Sequence, residues 1–408
     1  MSGWPDHVIW WHVYPLGFLG AEKTATPTVR HRLPQLEGWL DYLVELGCNG
    51  LLLGPVFRSS SHGYDTVDHF AIDPRLGTED DLRSLIEAGA SRGVRVLLDG
   101  VFNHVGRESP LVHEHPDWFT GTTFEGHDIL LELNHDEPAV ASYVADVMRH
   151  WLGLGIAGWR LDAAYAVAPS FWRETVGRVR AEFPDAWFLG EMIHGDYAGY
   201  VAESGLDSIT QYELWKAIWS SLADRNLFEL SWALKRHTEF AAAFLPQTFL
   251  GNHDVTRLAD QVGDDRHLGH AIAVLATVPG VPSVYSGDEQ AFRGRKENRA
   301  GGDDAVRPPF PDSPAGLAPY GWPVYRLHQE LFGLRRRHPW LTHGVPVTEH
   351  VANTALIYRV SGPDGRHLLV ALNVGDEPLA VPGGYRVGAG TIERGSVPGH
   401  GFAVLLPQ

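Results

Sequence analysis

The stretch AVASYVADVMRHWLGLGIAGWRLDAA, residues 139–164, contains the repeating unit that decides the fold. Its first part has apolar residues at helical spacing and ends in glycine, which is typical of an amphipathic helix and its C-terminus. Its second part, AGWRLDAA, is an apolar run of strand length that ends beside an acidic residue. A helix followed directly by a buried strand indicates a parallel sheet with crossover helices.

Seven further runs of strand length are distributed along the chain, with amphipathic stretches between several of them. They are HVIWWHVYPLG, CNGLLLGPVF, VRVLLDGVFNH, AWFLGEMI, LDSITQYEL, TFLGNHDVTR and PSVYSGDE. Eight strands in alternation with helices predict an α/β fold, specifically a (β/α)8 barrel. Polar residues cluster directly after the strands, which is the end where such a barrel carries its active site.

The chain length of 408 residues accommodates a barrel of roughly 250 residues or more together with a smaller appendage. We predict a catalytic barrel over residues 1–341. Within it, residues 105–137 separate strand 3 from its helix, and we expect a reduced insertion there in the form of a long loop. Residues 342–408 contain short β-like runs broken by Gly and Pro, which predict a small C-terminal all-β domain of the β-sandwich type.

The charge balance restricts the class of partner. Lys and Arg total 33 against 50 Asp and Glu, a net charge of -17, so nucleic acid and an acidic membrane surface are both disfavoured. The N-terminus has no signal-peptide pattern and no apolar run reaches membrane-spanning length. We therefore expect a soluble, cytoplasmic protein. The single cysteine, Cys48, lies in an apolar context and is interpreted as a core residue.

Candidate catalytic groups stand at three strand ends. Arg160 and Asp162 alternate on one face of their strand, so an ion pair should keep Asp162 ionised, as a nucleophile or as a structural pair. Glu191 ends an apolar strand, where desolvation would let it carry a proton; a carboxylate satisfied by backbone donors is the alternative. The adjacent His253 and Asp254 suit binding of sugar hydroxyls and stabilisation of positive charge, or a helix cap.

In chain order these runs resemble the four motifs of the α-amylase family of glycoside hydrolases. The motifs are DGVFNH at 99–104, GWRLDAA at 158–164, LGEM at 189–192 and LGNHDVTR at 250–257. GYDTVDHFAIDPRLGT at 63–78 and VYSGDE at 284–289 are similar to further family segments. The resemblance spans roughly residues 8–310.

The resemblance implies that Asp162 is the nucleophile, Glu191 the acid/base and Asp254 the transition-state stabiliser. It implies a retaining reaction through a covalent β-glycosyl enzyme, for which the two carboxyl groups stand about 5 to 5.5 Å apart. The substrate-binding residues that it implies are Tyr64, His104, Arg160, His253, Asp303 and Arg307. Asp65 is a further candidate for the same subsite, with a structural ion pair as an equal alternative.

Within the family, GWRLDAAYAVAPSFWRE is most similar to the cyclomaltodextrinase, neopullulanase and maltogenic amylase group. Three features depart from that group. We expect the chain to lack that group's N-terminal domain and to carry its inserted domain only as a long loop, and Tyr165 and Ala166 stand where the group has an Asn-Glu pair on the acceptor side. The departures leave the substrate open.

We therefore expect hydrolysis of α-glucosidic bonds in maltooligosaccharides or cyclodextrins, with an α-glucan oligosaccharide as the partner. The alternatives are transglycosylation, exo-action as an α-glucosidase on a small disaccharide or sugar phosphate, and a non-catalytic carbohydrate-binding protein. The basic segment RGRKENR, 293–299, fits either a phosphorylated sugar or a solvated loop. No cofactor is expected, and calcium is an option only through Asn103. The sequence does not predict the oligomeric state.

Overall fold

The computed structural model describes residues 3–299 and 301–408. Its largest sheet has eight parallel strands, numbered β1 to β8 in chain order. They are Trp10–Val13 (β1), Gly50–Leu53 (β2), Arg95–Gly100 (β3), Gly158–Leu161 (β4), Trp187–Gly190 (β5), Ser208–Ile209 (β6), Gln247–Phe249 (β7) and Val281–Tyr285 (β8).

The strands are hydrogen-bonded in the order β6-β5-β4-β3-β2-β1-β8-β7. A parallel bridge between Thr210 and Gln247 then joins the two ends of the sheet. The sheet is thus a barrel, and each of the eight apolar runs supplies one strand. The predicted (β/α)8 fold is confirmed.

Helices lie between the strands and bury their apolar faces against the outside of the barrel. The helix Glu79–Ala90 begins with a capping box, in which Thr78 and Asp81 each bond the other's backbone N–H. The helix Pro138–Leu154 ends at Gly155, whose φ of 113° requires glycine. The α-helices are Pro15–Phe18, Leu40–Leu46, Glu79–Ala90, Leu111–Glu114, Pro138–Leu154, Pro169–Arg180, Tyr197–Ser204, Tyr212–Ala223, Phe228–Ala241, Leu258–Val262, Leu268–Thr277 and Trp322–Arg337.

Strand alternation divides the core into an inner and an outer part. Trp10, Leu52 and Leu97 face the barrel interior and pack together there, while the residues between them face the helices. Asp99 follows Leu97 on the same face of β3. The interior therefore changes from apolar to charged toward the carboxyl ends of the strands.

The insertion after β3 is not the long loop that the sequence predicted. The strands His104–Gly106, Phe119–Thr123 and Leu130–Leu133 form a three-stranded antiparallel sheet with Leu130–Leu133 at its centre. Leu, Phe and Thr suit a pleated, half-buried surface, so short strands form although the segment is small. The antiparallel strands Phe57–Ser59 and Thr66–Ile72 follow β2 in a similar way.

The C-terminal region is a five-stranded antiparallel sheet with a two-stranded ribbon. Leu356, Tyr358 and Val360 face the barrel helices, and the Tyr358 hydroxyl lies 2.8 Å from Thr277 Oγ1. The opposite face packs under the ribbon. The strands of the sheet are Val345–Ala352, Ala355–Ser361, His367–Asn373, Tyr385–Gly390 and Phe402–Pro407, and those of the ribbon are Leu379–Ala380 and Ser396–Val397.

Across the described residues, the longest apolar helices fall short of what a membrane crossing requires.

Candidate active site

The carboxyl ends of the strands surround a cavity of about 960 Å³. Seven of the residues implied by the family resemblance line it. They are Tyr64, His104, Asp162, Glu191, Asp254, Asp303 and Arg307. The cavity therefore brings together side chains from six different parts of the barrel rim.

Arg160 is the centre of the charge arrangement beneath this cavity. Its NH1 lies 2.5 Å from Asp99 Oδ2 and 3.2 Å from Asp162 Oδ1. Its NH2 lies 2.6 Å from Glu191 Oε1. The register of the sheet explains the first contact, because Asp99 on β3 pairs directly with Arg160 on β4. One buried cation thus holds three buried carboxylates.

The charge state of Asp162 differs from what the sequence suggested. Burial raises the pKa of Asp162 well above its usual range, Glu191 and Asp99 raise it further, and Arg160 opposes them. The sequence argument paired Arg160 with Asp162 alone. In the fold the same guanidinium is shared with Asp99 and Glu191, so its stabilisation of the Asp162 anion is divided. Asp162 and Asp99, whose pKa values are both raised by burial, consequently retain a proton more readily.

Glu191 follows β5 and is fixed by three donors. Arg160 binds Oε1, the backbone N–H of Ala163 donates to Oε2 at 3.1 Å, and the Tyr212 hydroxyl donates to Oε1 at 3.3 Å. Asn252 in turn donates to the Tyr212 oxygen at 2.7 Å. The carboxyl group therefore has one orientation, with an edge toward the cavity.

Asp254 lies across the cavity from this pair, beyond β7. His253 Nε2 lies 2.9 Å from its Oδ2 and Arg307 NH2 lies 2.6 Å from its Oδ1. Burial acts to raise the pKa of Asp254, but His253 and Arg307 outweigh it and hold the pKa well below its usual range. Arg307 also binds Asp303 at 3.2 Å. Asp254 is therefore a permanent negative charge in the cavity wall.

Aromatic rings form the wall beside Asp254. Tyr64 stacks on His253 with ring centroids 5.3 Å apart, and Tyr14 stacks on the other side of His253 at 5.7 Å. The Tyr64 hydroxyl contacts His253 Nε2 and donates to Asp99 Oδ2 at 3.1 Å. His104, on the opposite side, stacks with Phe124 at 4.7 Å. A flat, uncharged surface therefore faces the carboxylates.

Three of the candidate residues do not reach the cavity wall. Arg160 and His253 lie behind it and act on the carboxylates from there. Asp65 is buried, and its Oδ2 accepts a hydrogen bond from the Ser61 hydroxyl at 2.6 Å. Its Oδ1 lies 3.9 Å from His62 Nδ1, within ion-pair distance, and the side chain is not part of the cavity lining.

Sequence reasoning missed Asp99 and Tyr212. Asp99 begins the DGVFNH motif and could have been found, because it shares a strand face with the buried Leu97. Tyr212 has no such signal. It reaches Glu191 from the first turn of the helix Tyr212–Ala223, after the next strand in the barrel.

The Asn103 side chain, through which calcium was an option, contacts the neighbouring histidine. The Asn103 amide lies 3.2 Å from His104 Nδ1, so it is engaged with a ring nitrogen. Within residues 3–299 and 301–408, the one grouping of three His, Cys, Asp or Glu ligand atoms lies elsewhere, at Asp264, His267 and His400. Calcium prefers six or more oxygen ligands, whereas this grouping offers two imidazoles and one carboxylate.

The chain is similar to known proteins of one family. Residues 33–123 and 123–308 match the family model of the α-amylase catalytic domain. The chain is 31% identical to neopullulanase 2 from Thermoactinomyces vulgaris, over 82% of this chain and 61% of the relative. It is 30% identical to a maltogenic α-amylase from Bacillus acidopullulyticus, over 72% of this chain and 58% of the relative. The chain thus spans about three fifths of the length of these curated relatives.

A solved structure also matches over its whole length. The cyclic α-maltosyl-(1→6)-maltose hydrolase from Arthrobacter globiformis superposes with a TM-score of 0.84 and 24% identity, covering 100% of both chains. At this identity the likeness concerns the fold alone. The family model, the curated relatives and the ordered motifs together confirm the family prediction: the chain belongs to the α-amylase family of glycoside hydrolases.

Proposed function

We propose that this protein is a retaining α-glycosidase that hydrolyses α-glucosidic bonds in short maltooligosaccharides or cyclodextrins. The single observation that carries the proposal is the position of Arg160, whose two terminal nitrogens bind Asp162 and Glu191. Two carboxyl groups on one guanidinium are close neighbours. A close pair suits direct attack by a carboxylate, whereas an inverting enzyme needs room for a water molecule between the groups.

In the first step, Asp162 attacks the anomeric carbon while Glu191 gives its proton to the glycosidic oxygen, and the bond to the leaving sugar breaks. In the second step, Glu191 takes a proton from water, whose oxygen displaces Asp162 from the same carbon. Asp254 would stabilise the positive charge that develops on the sugar ring, and the Tyr64 ring would stack against the apolar face of that sugar. The two inversions return the α configuration.

The cavity walls support a small, neutral substrate. Tyr165 donates to Glu125 Oε1 at 2.8 Å, and this bridge connects the insertion to the loop after β4 across one side of the cavity. The cations on the wall are already paired, since Lys296 binds Asp303 at 3.3 Å and Lys23 binds Asp304. Paired lysines attract a phosphate weakly, so a sugar phosphate is a poorer candidate than a neutral oligosaccharide.

Transfer to a sugar is the second candidate. The leaving-group side, beyond Glu191, carries Tyr165 near His194 at 6.1 Å between ring centroids, and a half-exposed Ile193. Apolar and aromatic surface there favours a second sugar over water as the acceptor. Products longer than the substrate at high maltotriose concentration would identify transfer.

The deciding experiment follows product anomers by NMR on a panel of α-linked disaccharides, maltooligosaccharides and cyclodextrins. We expect the α anomer first, and Asp162→Asn to lose activity by a factor of at least about 10⁴. Asp312→Asn, an exposed loop carboxylate, is the matched control and should retain activity. The β anomer as first product, or an active Asp162→Asn, contradicts the proposal.

A further inference from the structure

A second cluster of chemistry-bearing side chains lies away from the cavity, where the barrel meets the C-terminal sheet. His267 immediately precedes the helix Leu268–Thr277, and His400 stands in the turn before the strand Phe402–Pro407. Asp264 caps the short helical turn that contains His267. None of the three lines the catalytic cavity, and the proposed reaction does not use them.

The three side chains converge on one point. His267 Nε2 lies 2.9 Å from His400 Nδ1, and one ligand atom from each of Asp264, His267 and His400 lies within 4.8 Å of the others. Nitrogens bound to one tetrahedral zinc ion, at Zn–N distances of about 2.0–2.1 Å, stand about 3.4 Å apart. An increase of about half an ångström in the separation of the two imidazole nitrogens brings them to that spacing.

His400 is oriented as a metal ligand. Its Nε2 donates to Asp376 Oδ1 at 2.8 Å, which fixes the proton on Nε2 and leaves the Nδ1 lone pair directed at His267. A carboxylate behind a ligating histidine is the usual outer support of a zinc site. The backbone of His400 has a φ of 57°, a conformation that non-glycine residues adopt only where the surroundings impose it.

His267 is buried at this cluster, with only 2% of the residue exposed. Its Nε2 faces His400, so Nε2 is the nitrogen that would bind the ion, and Nδ1 would carry the proton of the neutral imidazole.

We propose that Asp264, His267 and His400 form a binding site for a divalent transition metal ion, with Zn²⁺ the best match. Two imidazole nitrogens and one carboxylate oxygen are a familiar zinc ligand set, with water in the fourth position. Arg266 competes for this carboxylate, because its Nη2 lies 2.7 Å from Asp264 Oδ2 and its Nε lies 3.0 Å from Oδ1 and 3.1 Å from Oδ2. The Arg266 side chain is 60% exposed, and it would have to turn into solvent to free an oxygen for the metal.

The ion would connect two parts of the fold. Asp264 and His267 belong to the barrel, whereas His400 belongs to the C-terminal sheet, so the metal would join segments more than 130 residues apart in sequence. A ligand that binds the folded state alone stabilises it in proportion to its concentration. The ion would therefore stabilise the folded chain, and this effect is measured independently of glycosidase activity.

The test titrates the full chain, free of affinity tags and previously treated with EDTA, with ZnCl₂ by calorimetry. We expect saturable binding of one ion per chain and a Tm that rises with Zn²⁺ concentration. His400→Asn and Asp264→Asn should each weaken binding at least about tenfold. Asparagine is chosen at position 400 because it tolerates a positive φ.

His343→Asn is the matched control, since His343 also pairs with a carboxylate, Asp6, at 3.1 Å and lies outside the cluster. It should bind Zn²⁺ as tightly as the unmodified chain. Circular dichroism verifies that each variant is folded. Absence of saturable binding in the unmodified chain, or an affinity in both cluster variants equal to that of the unmodified chain, overturns the proposal.

Discussion

The guanidinium of Arg160 binds Asp99 more closely than Asp162, at 2.5 Å and 3.2 Å respectively. Asp99 therefore positions Arg160 from below, and Arg160 then holds the two carboxyl groups that face the cavity. The proposed nucleophile depends on a residue that it does not touch.

Asp99→Asn should lower kcat strongly while KM changes little. Loss of the Asp99 charge removes the anchor of Arg160 and the partner of the Tyr64 hydroxyl, and a displacement near 1 Å in such a site costs about 10²-fold. Steady-state kinetics on maltotriose provide the measurement. Since Asp99 raises the pKa of Asp162, the acid limb of the variant should also move to lower pH. If Asp99 had a purely structural role, Asp99→Asn would lower the stability of the fold without shifting the acid limb of the pH profile.

On acidification, kcat/KM should fall at a pH well above 3.8, the ordinary pKa of an aspartate. A carboxylate nucleophile must be ionised. Because burial raises the pKa of Asp162, this group is protonated and inactive at a higher pH than an exposed aspartate would be. Asp254, whose pKa is depressed, stays ionised throughout this range. The profile is measured on the free enzyme at low substrate concentration, and an acid limb at or below pH 4 would contradict the argument.

Glu289→Gln should increase the free energy of unfolding relative to the unmodified chain by more at pH 8 than at pH 5. Burial raises the pKa of Glu289 to about 7 from an ordinary 4.5, although hydrogen bonds from its own backbone, from Tyr42 and from the Gly287 N–H oppose the shift. The folded state therefore binds the proton more tightly than the unfolded state does. The contribution of this proton to the stability of the folded chain is complete below pH 4.5. It is lost as the pH rises toward 7, and the loss is about 3 kcal/mol at most.

Denaturant unfolding of the Glu289→Gln variant and the unmodified chain at both pH values measures this difference. Only the pH dependence of the difference matters, because the many other titrating groups are common to both proteins. A difference that is the same at pH 5 and pH 8 would show that Glu289 does not titrate in this interval.

Tyr165→Phe should increase activity on long chains relative to short ones. The substitution removes the hydrogen bond to Glu125 and frees the insertion from the loop after β4, so the cavity opens on that side. We expect the ratio of kcat/KM for maltoheptaose to that for maltotriose to rise several-fold. Glu125→Gln and the double variant complete a double-mutant cycle with Tyr165→Phe. If the changes in log kcat/KM of the single variants simply add in the double variant, the two residues act separately, which would contradict the prediction.

Gly158→Ala should prevent stable folding, whereas Gly153→Ala should be tolerated. A Cβ at position 158 would lie 1.9 Å from the Trp187 carbonyl oxygen on the neighbouring strand, at a φ of 154°. Gly153 lies in a helix with nothing within 4 Å of the added atom, so alanine there should stabilise by up to about 1 kcal/mol. Soluble yield and Tm of the two variants provide the comparison, and a stable Gly158→Ala protein would contradict the close strand contact.

The sequence by itself determined the barrel and the neighbourhood of the site. The spacing at which side chains return to one face of a strand or helix is a local property. The run GWRLDAA alone therefore specifies that Arg160 and Asp162 share a face. The positions of Asp162, Glu191 and Asp254 after their strands follow from the same alternation. The sequence could not show that the segment after β3 forms a sheet, because each of its strands is too short to recognise alone.

Only the tertiary structure decided how the charges are shared. Asp99 reaches Arg160 through the register of β3 against β4, and Tyr212 reaches Glu191 from an element more than 20 positions away in sequence. These contacts turn the expected ion pair into one cation among three carboxylates, and they place Asp65 behind the wall. Burial and the number of neighbouring charges set an ionisation state, and both are properties of the assembled barrel rather than of any one strand.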